Sequence, residues 1–107
     1  MSLDITLKAW RMTEVFDTNI THNLGLMADE AGIYLAVWRP EEIGIKVAAD
    51  MIHWLEDGLK LLKSDPERFK KLEPSNKWGT YEDFVPWLEE YLKICQENPD
   101  AAVEANR

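Results

Sequence analysis

VAADMIHWLEDGLKLLK, residues 47–63, decides how this chain is read. The segment has the length and composition of a helix, yet it holds more apolar side chains than one face of a surface helix accommodates. On a wheel advancing about 100° per residue, Ala48, Ile52, Leu55, Leu59 and Leu62 fall within about 40° of Ala48. Val47, Met51, Trp54, Gly58 and Leu61 form a second stripe, centred roughly 100° from the first. Lys46, Asp50, His53, Glu56, Asp57, Lys60 and Lys63 take the remaining, polar arc. The first stripe is an ordinary core stripe. The second either packs against a neighbour within the fold or faces a partner. Trp and Met are enriched at interfaces, and a central Trp contributes on the order of 2 kcal/mol or more to binding.

The rest of the composition bounds the possibilities. A chain of 107 residues forms one domain with a single modest core. It is 46% hydrophobic and 30% charged, the balance of a globular rather than a disordered sequence. Twenty acidic residues against 12 basic ones give a net charge of −8. That charge disfavours nucleic acid and anionic membrane surfaces as partners. The apolar runs are far shorter than the ~20 residues of a membrane span, and no secretory signal is evident. The single Cys95 excludes an internal disulfide and fits a reducing, cytoplasmic setting. Five Trp in so short a chain point to a Trp-rich core or to a contact surface.

Along the chain, Leu3, Ile5, Leu7 and Ala9 alternate with Asp4, Thr6, Lys8 and Trp10, which predicts a half-buried strand. Asp17-Thr18-Asn19 are N-cap residue types, and Ile20, Leu24, Met27, Ala28 and Ala31 follow at helical spacing, with Gly32 as the stop. Ile33–Trp38 reads as a helical turn ended by Arg39-Pro40 and Gly44. A helix over about 46–63 follows, then a short helix from Pro66. Thr80 is the N-cap of a last helix reaching about Gln96, with Phe84, Leu88, Tyr91, Leu92 and Cys95 on its buried face and a kink or 3-10 turn expected at Pro86. The tail at Ala101-Ala102-Val103 is a candidate partner for the first strand. The expected fold is mainly α within the α+β class: a compact helical domain with an N-terminal strand, at most paired with a short C-terminal one.

Residues that carry chemistry are sparse. His22, His53 and Cys95 do not share metal-ligand spacing, so neither a metal nor a cofactor is expected. Cys95 lies on a core stripe, which favours burial over nucleophilic use. The carboxylate pairs sit on solvent faces of an acidic protein and single out no general acid or base. Thr21-His22-Asn23 is the most site-like stretch, a cluster of polar groups at a helix start, with Trp78 and Tyr81 as aromatic neighbours for a small ligand. Capping and a hydrogen-bonded histidine account for the same residues.

Two stretches, NITHNLGLMADEAGIYLAVWRPEEIG (19–44) and SDPERFKKLEPSNKWGTYEDFVPWLEEYLKIC (64–95), resemble a family of small uncharacterised proteins from bacteria and their phages. The resemblance extends over nearly the whole chain. It implies a compact, mainly α domain with an N-terminal strand and carries no activity with it. Where that family has Lys at position 26, a charged residue at 35, Pro at 12 and a more polar segment over 46–54 without Trp, this chain has Leu26, Leu35, Met12, Val47, Met51 and Trp54. Changes from polar to apolar on outer surfaces are those of a surface remade for binding, as in a binder built on a natural scaffold.

The expectation is therefore a non-enzymatic protein-binding module. Its contact residues would be Trp10, Met12, Leu26, Leu35, Val47, Met51, His53 and Trp54, presented as a rigid apolar patch. The partner would be a protein offering a hydrophobic groove or pocket, with no role for nucleic acid or membrane. Two alternatives stand beside it: a homodimer closed by the same patch, and a ligand or catalytic site around Thr21, His22 and Asn23.

Overall fold

A computed structural model describes residues 2–9, 13–74 and 78–107, and of residues 13–15 the backbone alone. The chain is α+β, with its N-terminal and C-terminal strands paired. In order come β1 (Ser2–Ala9), β2 (Thr13–Thr21), a 3-10 turn (His22–Leu24), α1 (Gly25–Glu30) and α2 (Tyr34–Trp38). A second 3-10 turn (Pro40–Ile43), α3 (Ala48–Ser64), α4 (Pro66–Lys70), α5 (Tyr81–Glu97) and β3 (Ala102–Asn106) complete it. The sheet is antiparallel in the order β2-β1-β3.

The alternation read in β1 sets the two faces of this sheet. Leu3, Ile5 and Leu7 are fully buried, whereas Ser2 and Asp4 are exposed. In register, Ile20, Thr18 and Phe16 of β2 lie opposite them, and Ala105 and Val103 of β3 lie opposite Ile5 and Leu7. Helix α5 covers that face: the Phe16 ring lies 6.0 Å from Tyr91, and the Trp87 indole N–H donates to Thr18 Oγ1 at 3.0 Å. On the outer face Lys8 pairs with Glu104 at 3.3 Å.

Strand β2 corrects the reading of residues 17–21 as the start of a helix, and with it the limit of two strands. Asp, Thr and Asn are N-cap types in isolation, but here pairing with β1 overrides local preference, as tertiary contacts do for β-branched and aromatic residues. Ile20 therefore belongs to the sheet, and the helical run begins with the 3-10 turn at His22. Leu24, Met27, Ala28 and Ala31 are buried as their spacing predicted, and Gly32 ends the run at φ +78°, a left-handed conformation that favours glycine. The tail pairs with β1 further along than expected, over Ala102–Asn106.

Helix α3 resolves the question posed by its two stripes. Its buried residues are Ala48, Met51, Leu55, Gly58, Leu59 and Leu62, a single arc of about 100° that takes members from both. Ile52 is half-buried on one flank of this arc, and Val47, Trp54 and Leu61 on the other. Helix α5 packs along α3. The second stripe meets Ile33, just before α2: a Cβ placed on Gly58 would lie 2.5 Å from Ile33 Cγ2. Glycine inside a helix costs roughly 1 kcal/mol relative to alanine, and here it admits Ile33 against the helix backbone. The α3 N-terminus is closed by the segment leading into β3, with Ala48 N–H on Ala101 O at 2.8 Å and Ala49 N–H on Pro99 O at 2.9 Å. Asp50 Oδ2 accepts from the backbone N–H groups of Lys46 and Val47. At the other long helix, Thr80 Oγ1 accepts from Asp83 N–H at 3.1 Å, and the α conformation continues through Pro86.

Candidate functional site

The polar cluster around His22 is built where β2 gives way to α1. Thr21 ends the strand in extended conformation, and its Oγ1 accepts from Asn23 N–H at 3.2 Å. That turn directs the His22 ring inward, where Nδ1 accepts the indole N–H of Trp38 at 2.8 Å. Trp38 is 1% exposed and stacks on Tyr34 at 5.5 Å. The aromatic series continues through Phe84, Trp87 and Tyr91. Gly79, at φ +106°, brings the 78–80 segment onto this junction; a Cβ there would lie 2.7 Å from Thr21 and 2.8 Å from Leu24. Tyr81 donates its N–H to Glu73 at 2.7 Å and its hydroxyl to the Leu62 carbonyl at 2.9 Å.

These residues are brought together, and Thr21 Oγ1, His22 Nδ1, the Trp38 indole N–H and the Tyr81 hydroxyl are each engaged within the fold. Such a cluster holds the β2–α1 junction to α2 and α5. Grooves lined by described residues lie between other elements. One of about 360 Å³ runs between α3 and α5, lined by Glu56, Leu59, Lys60, Lys63, Glu89, Leu92, Lys93 and Gln96. Another, of about 280 Å³, lies between the second 3-10 turn and β3. Cys95 is buried, and burial pushes its thiol up to about 12, which keeps it protonated and unreactive at neutral pH. Burial also raises the Tyr91 phenol above its ordinary value, and its hydroxyl has no hydrogen-bond partner among the described residues. Among the described residues no group of three His, Cys, Asp or Glu side chains is placed to hold a metal ion, and no helix is long and apolar enough to cross a membrane.

The expected contact residues divide. Met51 is fully buried and is corrected from contact residue to core residue. The stripe it belongs to finds its neighbour inside the molecule, in Ile33 above Gly58. Trp54 and Val47 are half-buried, with Trp54 packed against the core and Val47 bridged through its backbone to Ala102. His53 is exposed, its ring 5.2 Å from that of Trp54. Leu26 and Leu35 are the outward-facing members, 70% and 46% exposed. They stand on helices that pack together, for a Cβ on Gly25 would touch the Tyr34 ring at 3.4 Å. Trp10 and Met12 lie outside the described residues. Trp78, assigned from sequence to the ligand alternative, is 69% exposed beside the Thr21 junction. Leu61, half-buried on the same flank of α3 as Trp54, was not assigned from sequence as a contact residue, although its position on the second stripe was its signal.

Comparison with known proteins leaves this geometry to speak for itself: no family model, curated protein or solved structure matches the chain.

Proposed function

We propose that this chain is a non-enzymatic protein-binding domain whose contact face is centred on Leu26 and Leu35 and flanked by Trp54, Val47 and Leu61 of α3. The observation that carries this reading is the exposure of two leucines on adjoining short helices, together with an α3 flank that is apolar and half open. Single exposed leucines are common; two on helices that pack together begin a patch. Both positions usually carry charged side chains in the family the sequence resembles, which supports a surface altered for contact. The internal engagement of Thr21, His22 and Tyr81 disfavours a catalytic role for the polar cluster.

The test is selection of helical peptides from a displayed library on the immobilised domain. Selected binders should lose affinity on Leu26→Ser/Leu35→Ser and keep it on Lys60→Ser/Lys93→Ser, which alters the groove between α3 and α5. Binders indifferent to the leucine pair and sensitive to the lysine pair would place the contact face on the other side.

A further inference from the structure

Resting on that reading, the charges around the same face define the chemistry of its partner. Leu26 has Asp29 and Glu30 at its helical i+3 and i+4 positions, both exposed. Trp54 has Asp50 four residues before it and Asp57 three after it, both exposed. Two cations nearby are already held by carboxylates: the Arg68 guanidinium by Glu30, with Nε to Oε1 at 2.9 Å, and Arg39, one turn beyond Leu35, by Glu42 at 2.8 Å. Lys60 and Lys63 of α3 turn the other way, into the groove they line with Lys93 of α5. Asp29, Asp50 and Asp57 thus stand beside the apolar residues of this face, with the exposed Lys46 next to Val47. Carboxylates outnumber cations there, as they do in a chain of net charge −8.

We infer that the occupant of this face is a basic amphipathic helix of another protein. Its apolar stripe meets Leu26, Leu35 and the Trp54 flank, and its Lys or Arg side chains extend over that stripe to the carboxylates. Long basic side chains suit this geometry because their stems cover apolar surface while their charged ends reach those carboxylates. A second copy of this chain suits it poorly, since two-fold contact would bring Asp29 and Asp57 towards their own equivalents.

The test uses the intact domain and two synthetic helical peptides with one leucine stripe, one with lysine on its polar face and the other with glutamate. Titration followed by tryptophan fluorescence should show binding of the lysine peptide only, weakened on the order of tenfold as salt rises from about 0.1 M to about 1 M. Leu26→Ser/Leu35→Ser should weaken it by about tenfold or more, and Asp29→Asn/Asp57→Asn severalfold, with circular dichroism unchanged. Leucine-dependent binding of the glutamate peptide would overturn the basic partner and leave the contact face standing. Binding of the lysine peptide that ignores the leucine pair would show attraction by charge alone and overturn both. Binding of neither peptide, or a leucine-dependent dimer of the free domain that the lysine peptide does not disperse, overturns the inference.

Discussion

Met51 and Leu26 look alike in the sequence: each is an apolar residue beyond the stripe that a small domain needs for its core. In the fold they separate completely, Met51 at 0% exposure and Leu26 at 70%. The difference lies in the neighbours. The second stripe of α3 meets Ile33 through the gap left by Gly58, whereas nothing among the described residues buries Leu26. Surplus apolarity on a helix therefore has two meanings, and the one that applies depends on contacts distant along the chain.

The strongest way to break this contrast is Met51→Ala. If Met51 is core, the change should cost about 2–5 kcal/mol in urea-induced unfolding; a loss within experimental error would return Met51 to the surface. Gly58→Ala should cost about 1–3 kcal/mol by crowding Ile33. In a double-mutant cycle with Ile33→Ala, the pair should lose less than the sum of the single changes, and strict additivity would show that the two do not touch.

His22→Ala should cost about 1–3 kcal/mol, because it leaves the buried Trp38 indole N–H without its acceptor. His22→Asn should recover part of that loss by supplying an oxygen near the position of Nδ1. The alkaline limb of stability offers a subtler test. Burial raises the Cys95 thiol to about 12 and the Tyr91 phenol above its usual range, so both are protonated in the fold. Unfolding releases them to ordinary values, about 8.5 for the thiol and 10 for the phenol. Stability is unaffected by these groups below the unfolded thiol value and falls as pH rises from there through their folded values. Urea midpoints of Cys95→Ala/Tyr91→Phe should decline less steeply at alkaline pH than those of the unaltered chain. At neutral pH Tyr91→Phe alone should be neutral or slightly stabilising, since it removes a hydroxyl with no partner among the described residues. The smallest effect is expected on the outer face: Leu26→Ser and Leu35→Ser should each shift stability by no more than about 0.5 kcal/mol.

Much of this fold was legible from local pattern. The alternation of β1, the extents of α3 and α5, the Thr80 cap and the Gly32 stop all follow from side-chain period and capping chemistry. What was not legible depends on long-range pairing. Residues 17–19 favour a helix start when read alone, and only their register against β1 makes them strand. The outward placement of Leu26 and Leu35 was legible, where exposure is a local matter. Met51 was misread, because the Ile33–Gly58 contact spans two elements. The glycine at 58 was the available signal: an unfavourable residue in the middle of a long helix indicates close approach by another part of the chain.

The pairing of β1 with β3 has a kinetic consequence. Residues 4–8 hydrogen-bond to residues 102–106, so the central strand gains its second neighbour only across a closure of nearly the whole chain. Closing so long a loop is entropically expensive and raises contact order. During synthesis, β1 and β2 can form their hairpin early, while the other edge of β1 stays open until residues 102–106 have left the ribosome. The same segment supplies the carbonyls of Pro99 and Ala101 to the start of α3. Sheet completion and anchoring of the long helix therefore coincide, and α3 should reach its native protection from hydrogen exchange only when β3 docks.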